Sequence, residues 1–405
     1  MKYEKNGFRR LLIVLSIVSL LLLTGCWSKD EIEDLSLYVG LALDEEHKTK
    51  LEHKLDKFSI RKEKENILTL TVQVVDKQNE DKGQSQGSMR DPSKKAYLNI
   101  SQTGNSIFEM MRDYATQLER PVVGHHLKVI VINEQLARRY SLPQLLDFFL
   151  RDNDIRQNCA VFMSNGLARN TMEAKGNTIV PAFRLLGMMD NRYRTLKIIP
   201  PVRLYHLEAK MHARASYLLQ NVTAAEGEVH MSGAAVIDGK TQKFKGTLNE
   251  AELLGITWLR GDGKGGLIKC TDPETNLPVT YELKSMKSKI RSKVAGNQIS
   301  FDVQIETEGR IIEDWSMNSS PIDEAFIERV EQSGSEMVSK LIKQALAKIQ
   351  KNYKTDVVGF GTRLHIEHPR LWKQMKENWD ERFADIPITY SVKLNITETG
   401  TEKSH

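Results

Sequence analysis

Cys26 has the most sharply defined chemistry in this chain of 405 residues. It closes the tetrad Leu23-Thr24-Gly25-Cys26, a lipobox, in which an aliphatic residue and two small ones let the peptide lie extended in a peptidase while the thiol takes up diacylglycerol. The residues before it fit that reading. Lys2, Lys5, Arg9 and Arg10 stand against the single Glu4, and residues 11–23 carry no charge, the order of a signal peptide's basic and apolar regions. A helix that spans the hydrocarbon core needs about 20 apolar residues, and this run is shorter. Cleavage is therefore expected between Gly25 and Cys26, leaving a lipid anchor on Cys26. The other readings are a secretory signal with a coincidental cysteine and, from Arg9-Arg10, a twin-arginine signal, for which nothing beyond the pair fits. Each buried CH₂ contributes about 0.8 kcal/mol, so a diacylglyceryl thioether plus an N-acyl group makes the anchor effectively permanent.

Other residues invite catalytic or metal chemistry, and their spacing answers against it. In His365-Ile366-Glu367-His368 the order matches neither zincin motif, and an extended strand would point His368 away from the other two. Adjacent side chains at His125-His126 diverge likewise. The run 261–266 is rich in glycine, but Lys264 is followed by Gly265 rather than Ser or Thr, so the Walker spacing is absent and a turn is expected. No GxSxG elbow occurs, and Cys159 lies in an apolar strand. No isolated carboxylate pair supports a hydrolase. No catalytic residue, metal site or cofactor is nominated, beyond the acyl groups expected on Cys26. Cys159 and Cys270 are read as two buried thiols, with a disulfide between them as the alternative.

These residues must be positioned by elements, and the chain alternates them. Ser28-Lys29-Asp30-Glu31 reads as a capping box, so a helix should start almost at the lipid, followed by a strand over 37–43. Residues 45–66 and 80–95 are polar and read as mobile loops on either side of a strand over 67–75. A helix from 105, a strand over 127–132, a helix over 142–150 and a strand over 159–163 then argue for a layered α/β region. Helical segments are expected over 181–189 and 204–219.

A polar interruption at 220–227 marks a plausible boundary. Beyond it the pattern gives strands over 229–237, 267–270, 279–286 and 299–305, with a helix over 249–259 after the first of them. A long helix over 323–352, more than about 40 Å at 1.5 Å per residue, a helix over 370–383 and a strand over 388–396 complete an α+β unit. The expected organisation is a signal peptide over 1–25, an N-terminal α/β region over 26–222 forming one or two subdomains, and a C-terminal α+β domain over 223–400. On the last helix Trp372, Lys373, Lys376 and Trp379 read either as core anchors with a solvated flank or as a partner-docking face formed by Trp372, Lys376 and Trp379. Removing the signal peptide lowers the formal charge from +5 to +2, which implies no nucleic-acid partner.

Several segments in order resemble the Ger(x)C lipoproteins, the C subunits of nutrient-germinant receptors in endospore-forming bacteria. They are the lipobox with Trp27; Gly40-Leu41-Ala42-Leu43-Asp44; residues 126–134 with Arg151-Asp152 and Asp154-Ile155-Arg156; residues 233–246 and Glu252-Leu253-Leu254-Gly255; and residues 356–361 with Pro369-Arg370-Leu371-Trp372 and Trp379. Val357-Val358 departs from the residues expected there. The resemblance implies a three-domain mixed α/β fold. It also implies a non-enzymatic, lipid-anchored subunit on the outer face of the cell membrane, in the inner membrane of the spore. Its partners would be two integral-membrane subunits, A and B, and the complex would be required for germination in response to a nutrient such as an amino acid or sugar. Which nutrient, and whether this subunit touches it, stays open. The alternative reading is a solute-binding lipoprotein that captures a small molecule between two hinged domains; an anchored cell-wall hydrolase is the third.

Overall fold

The computed structural model describes residues 35–55, 67–75, 94–176, 179–296, 298–315 and 324–398. The signal peptide, Cys26, the Ser28 capping box and most of the two polar stretches lie outside the described residues. The first half contains β1 (Ser36–Glu45), α1 (Lys50–Leu55), β2 (Leu68–Val75), β3 (Tyr97–Gly104), α2 (Ile107–Asp113), β4 (Val122–Val123) and β5 (Val129–Asn133). It continues with α3 (Glu134–Arg139), α4 (Leu142–Arg151), β6 (Ala160–Ser164), α5 (Pro181–Asp190), α6 (Leu204–Ala213), β7 (Tyr217–Ala225), β8 (Glu228–Ile237) and β9 (Phe244–Leu248).

All nine strands belong to one sheet, ordered β3-β2-β1-β5-β6-β7-β8-β9 with β4 beside β1. Strands β1, β5, β6 and β7 run parallel and the remainder of the path is antiparallel. Both faces are covered. Leu136, Leu145, Phe149 and Leu207 of the helices on one side join Leu41, Ile130 and Val161 in a core, while Met172, Ala182 and Leu185 pack against Ala42, Val131 and Phe162 on the other. Double burial explains why β5 and β6 are unbroken apolar runs rather than alternating ones.

The second half comprises α7 (Glu250–Arg260), β10 (Gly266–Thr271), β11 (Pro278–Ala295), β12 (Gln298–Asp314), α8 (Glu324–Ala347), α9 (Phe360–Glu367), α10 (Pro369–Met375), α11 (Trp379–Phe383) and β13 (Ile388–Glu398). Its four strands form a second sheet, β10-β11-β12-β13. One face packs on α7 and α8 through Ile268, Tyr281, Phe301, Val303, Val338 and Ile342. Along β11 beyond its bulge and along β12, exposed and covered residues alternate, so the opposite face carries no covering element among the described residues. The same core takes in Leu218, Ala234, Val236 and Leu248 of the first sheet, so the two sheets share one apolar interior. The architecture is mixed α/β, as the alternation of elements predicts.

Several expectations change. Residues 97–104, unassigned in the periodicity, are β3, a polar strand held by a ladder of side-chain bonds: Thr69 with Thr103 at 2.9 Å, Thr71 with Ser101 at 2.8 Å, and Gln73 to Asn99 at 3.0 Å. The polar stretch after β1 includes a helix, α1, with Thr49 and Glu52 capping each other's backbone N–H. The helix expected over 204–219 stops at Ala213, where Arg214 turns left-handed at φ 50°, and Tyr217 already begins β7. The interruption at 220–227 is a hairpin: β7 pairs with β8 up to Ala225 opposite Glu228, so one sheet runs through position 222. The helix expected over 370–383 divides into α10 and α11 around a 3₁₀ turn at Lys376–Asn378. Residues 365–367, read as strand, belong to α9.

Candidate functional site

The family-like segments turn out to be the joints of the fold. Gly40 lies where a Cβ would come within 2.9 Å of Ala182 Cβ and Met172 Sδ, so its bare backbone lets α5 and the 168–172 turn settle on β1. Four residues on, Asp44 accepts the backbone N–H groups of Ala168 at 2.6 Å and Arg169 at 2.9 Å, fastening the same turn. Burial pushes its carboxyl up to about 6 against those two bonds, which favour the charged form. Asn133, closing β5, caps α3 by accepting the N–H groups of Gln135 and Leu136.

Residues 356–361 form a second joint. One oxygen of Asp356 accepts the N–H groups of Val358, Gly359 and Phe360 at 3.1, 2.8 and 3.2 Å; the other accepts Gly361 N–H at 2.7 Å and the Trp379 indole N–H at 3.0 Å. The carboxylate thus caps α9 and ties it to α11, in a nest of Phe301, Phe360, Phe383 and Trp379. This accounts for the spacing Asp356-Gly359-Gly361 with Trp379. It also removes Trp379, 7% exposed, from the docking face, because its ring fills the core and its N–H is spent on Asp356. The break between α10 and α11 means the trio no longer lies on one helix. Trp372 is half-buried, stacked on His365 at 5.9 Å, and Lys376 is exposed.

The residues weighed for chemistry are dispersed or engaged. Glu367 accepts the Ser292 backbone N–H at 2.8 Å and its hydroxyl at 2.5 Å, and pairs with Arg363. His125 lies 3.6 Å from Asp154. Gly265 and Gly266 pack against the backbone of Tyr193 and Leu196. Cys159 and Cys270 are buried free thiols, and burial raises Cys159 to about 12, which suppresses the reactive thiolate.

Periodicity gave no warning of an open groove of about 840 Å³ between α2 and α4. Its floor is apolar, with Ile107, Phe108, Leu145 and Phe148; Phe108 is 54% exposed and its ring lies 5.9 Å from that of Phe148. Arg112 sits 5.0 Å over Phe108, and Arg151 pairs with Asp147 at 2.9 Å on the rim. Asp152 and Asp154 also line it, so the family-like segment 151–156 contributes directly to the groove. Both acids act on the buried Tyr38 near the start of β1. The groove thus runs lengthwise past β1, from Ile67 and Leu68, opposite the last residue Glu45, to Asp152 and Asp154 at the end nearer Tyr38, where the chain enters and Ser36 N–H is bonded to Pro121 O. A signal in sequence existed in the exposed Phe108 and the half-buried Phe148, each one step off the apolar stripe of its helix.

The fold and this arrangement define a two-sheet mixed α/β protein whose distinctive residues build joints and line an open groove. The chain matches the model described as spore germination protein N-terminal domain over residues 28–224 and that described as spore germination B3/GerAC like, C-terminal, over residues 232–400. Spore germination protein YndF of Bacillus subtilis (strain 168) is 42% identical over 99% of this chain and all of its own length. Spore germination protein B3 of the same organism is 30% identical, covering 94% of this chain and 96% of that one. The crystal structure of the GerBC protein superposes with a TM-score of 0.59 at 25% identity, covering 83% of this chain and 95% of that one. The chain belongs to the spore germination B3/GerAC-like family.

Proposed function

We propose that the chain is the lipid-anchored, non-catalytic C subunit of a nutrient-germinant receptor, working with integral-membrane A and B subunits in the inner membrane of the spore. The observation that carries this is the full-length match: the N- and C-terminal family models follow one another over residues 28–400, and spore germination relatives align over 94–99% of the chain. The lipobox supplies the anchor. From Cys26 to Leu35 the chain reaches about 30 Å at most, so the entry end of the first sheet faces the bilayer and the membrane subunits, with the Asp152 and Asp154 end of the groove nearest to them. A non-catalytic role is supported by the engagement of Asp44, Asp356 and Glu367 in structural bonds. Against a solute-binding lipoprotein stands the shared core of the two sheets, which leaves no hinge for a clamshell to close about.

The test is germination across a panel of amino acids and sugars, in spores lacking the gene and in spores carrying Cys26→Ala. Loss of the response to one nutrient in both strains is expected. A full response to every nutrient in spores stripped of their other germinant receptors rejects the assignment.

A further inference from the structure

The uncovered face of the second sheet is unevenly charged. Past the β11 bulge, Lys287, Lys289, Arg291 and Lys293 are all exposed, while the residues between them turn inward. At two residues per repeat they form a straight row about 20 Å long. Lys393 of β13 is exposed on the same face, opposite Glu306. Among the described residues none of these five cations makes an ion pair within 4.0 Å, although Glu306 and Asp302 lie across from Lys287 and Arg291. Toward the other end of the same face, Leu267 and Ile312 are 58% and 48% exposed, and Trp315, just past the end of β12, is 60% exposed.

Lysines on an outer strand commonly serve to block edge-to-edge pairing. Here the free edge of β11 is already engaged in part: Ser292 N–H is taken by Glu367, and the Ser288 Oγ nearby donates to Leu259 O at 2.7 Å. The row points off the face, not along the edge, so edge protection does not account for it.

We propose that this face is a docking surface for anionic phospholipid headgroups, placing the second sheet against the same bilayer that holds the anchor. The inference rests on the membrane-held reading above. A row of four cations facing only two carboxylates, Asp302 and Glu306, suits an anionic lamella, and the exposed Leu267 and Ile312, with the exposed Trp315 beside them, suit the boundary between headgroup and acyl chain, where an acidic peptide would have no use for them.

The mature chain from residue 26, carrying Cys26→Ser so that no acyl group can bind, is tested by co-sedimentation with vesicles. Binding to phosphatidylglycerol vesicles is expected at low salt, with at least tenfold weaker binding to phosphatidylcholine vesicles and release in 0.5 M NaCl, as screening of surface charge requires. The quadruple variant K287Q/K289Q/R291Q/K293Q should lose at least tenfold, and K287R/K289R/K293R should bind as the parent does. All four positions are solvent-facing, and an unchanged circular dichroism spectrum verifies folding. Equal binding to both lipids, binding that survives the glutamine variant, or capture of polyglutamate without vesicles overturns the proposal. The germination test reads the receptor assignment separately, so either can fail alone.

Discussion

Asp44 shows how a residue that looks like a catalytic acid can be a joint. Its carboxyl is 2% exposed, holds two backbone N–H groups 124 and 125 residues away, and titrates near 6 because burial outweighs those bonds. A folded pKa raised above the unfolded value near 3.8 stabilises the protein fully below pH 4, and that contribution is lost as pH rises through 6. At about 1.4 kcal/mol per unit the whole change is about 3 kcal/mol. Chemical denaturation at pH 4 and pH 7 should show this slope in the parent and a flatter one in Asp44→Asn. The segment 40–44 stood out in the sequence as a family-like motif, but its partners at 168–169 could not be found there, since nothing local announces a bond across more than 120 residues. Asp356 was equally silent about Trp379 until the chain folded back between α9 and α11.

At the scale of elements, apolar runs and amphipathic stripes were legible where packing is two-sided or broad: β5, β6, α4, α7 and α8 all fall close to their expected limits. What escaped was set by tertiary bonds. β3 is polar because its side chains bond laterally to β2, and the His365-Glu367 alternation that resembles a strand is overridden by the Asp356 cap, which starts α9. The seam between α7 and α8 offers a sharp test. A Cβ on Gly255 would collide with the carbonyl oxygen of Leu341 and come 2.6 Å from Ala345 Cβ, whereas one on Gly187, exposed in α5, meets open space. Gly255→Ala should therefore cost about 1–3 kcal/mol through overpacking, and Gly187→Ala should add about 0.5–1 kcal/mol through helix propensity. Urea midpoints of the two variants, moving in opposite directions from the parent, measure both.

At the scale of the whole molecule, the division near 222 that composition indicated is bridged by the β7–β8 hairpin, because the polar residues at 226–227 are a tight turn and not a linker. With Leu218, Ala234 and Val236 buried in the same core as Phe301, Val338 and Ile342, the halves should unfold together. Tryptophan emission reports mainly the second half, which holds Trp258, Trp315, Trp372 and Trp379, and far-ultraviolet circular dichroism reports both. Coincident urea curves are expected; a separate early transition in either signal contradicts a common interior.

The shared interior also bears on how such a body could report an event at the membrane. Close-packed protein interiors transmit strain because they compress little. Here α7 leaves the first sheet at Leu248, lies along α8, and is fastened at its far end to Ser288 on the β11–β12 ribbon. A tilt imposed at the entry end of the first sheet is therefore passed through the shared core to the ribbon at Ser288. The two sheets should therefore move as one stiff piece, so that a push on either is felt by both.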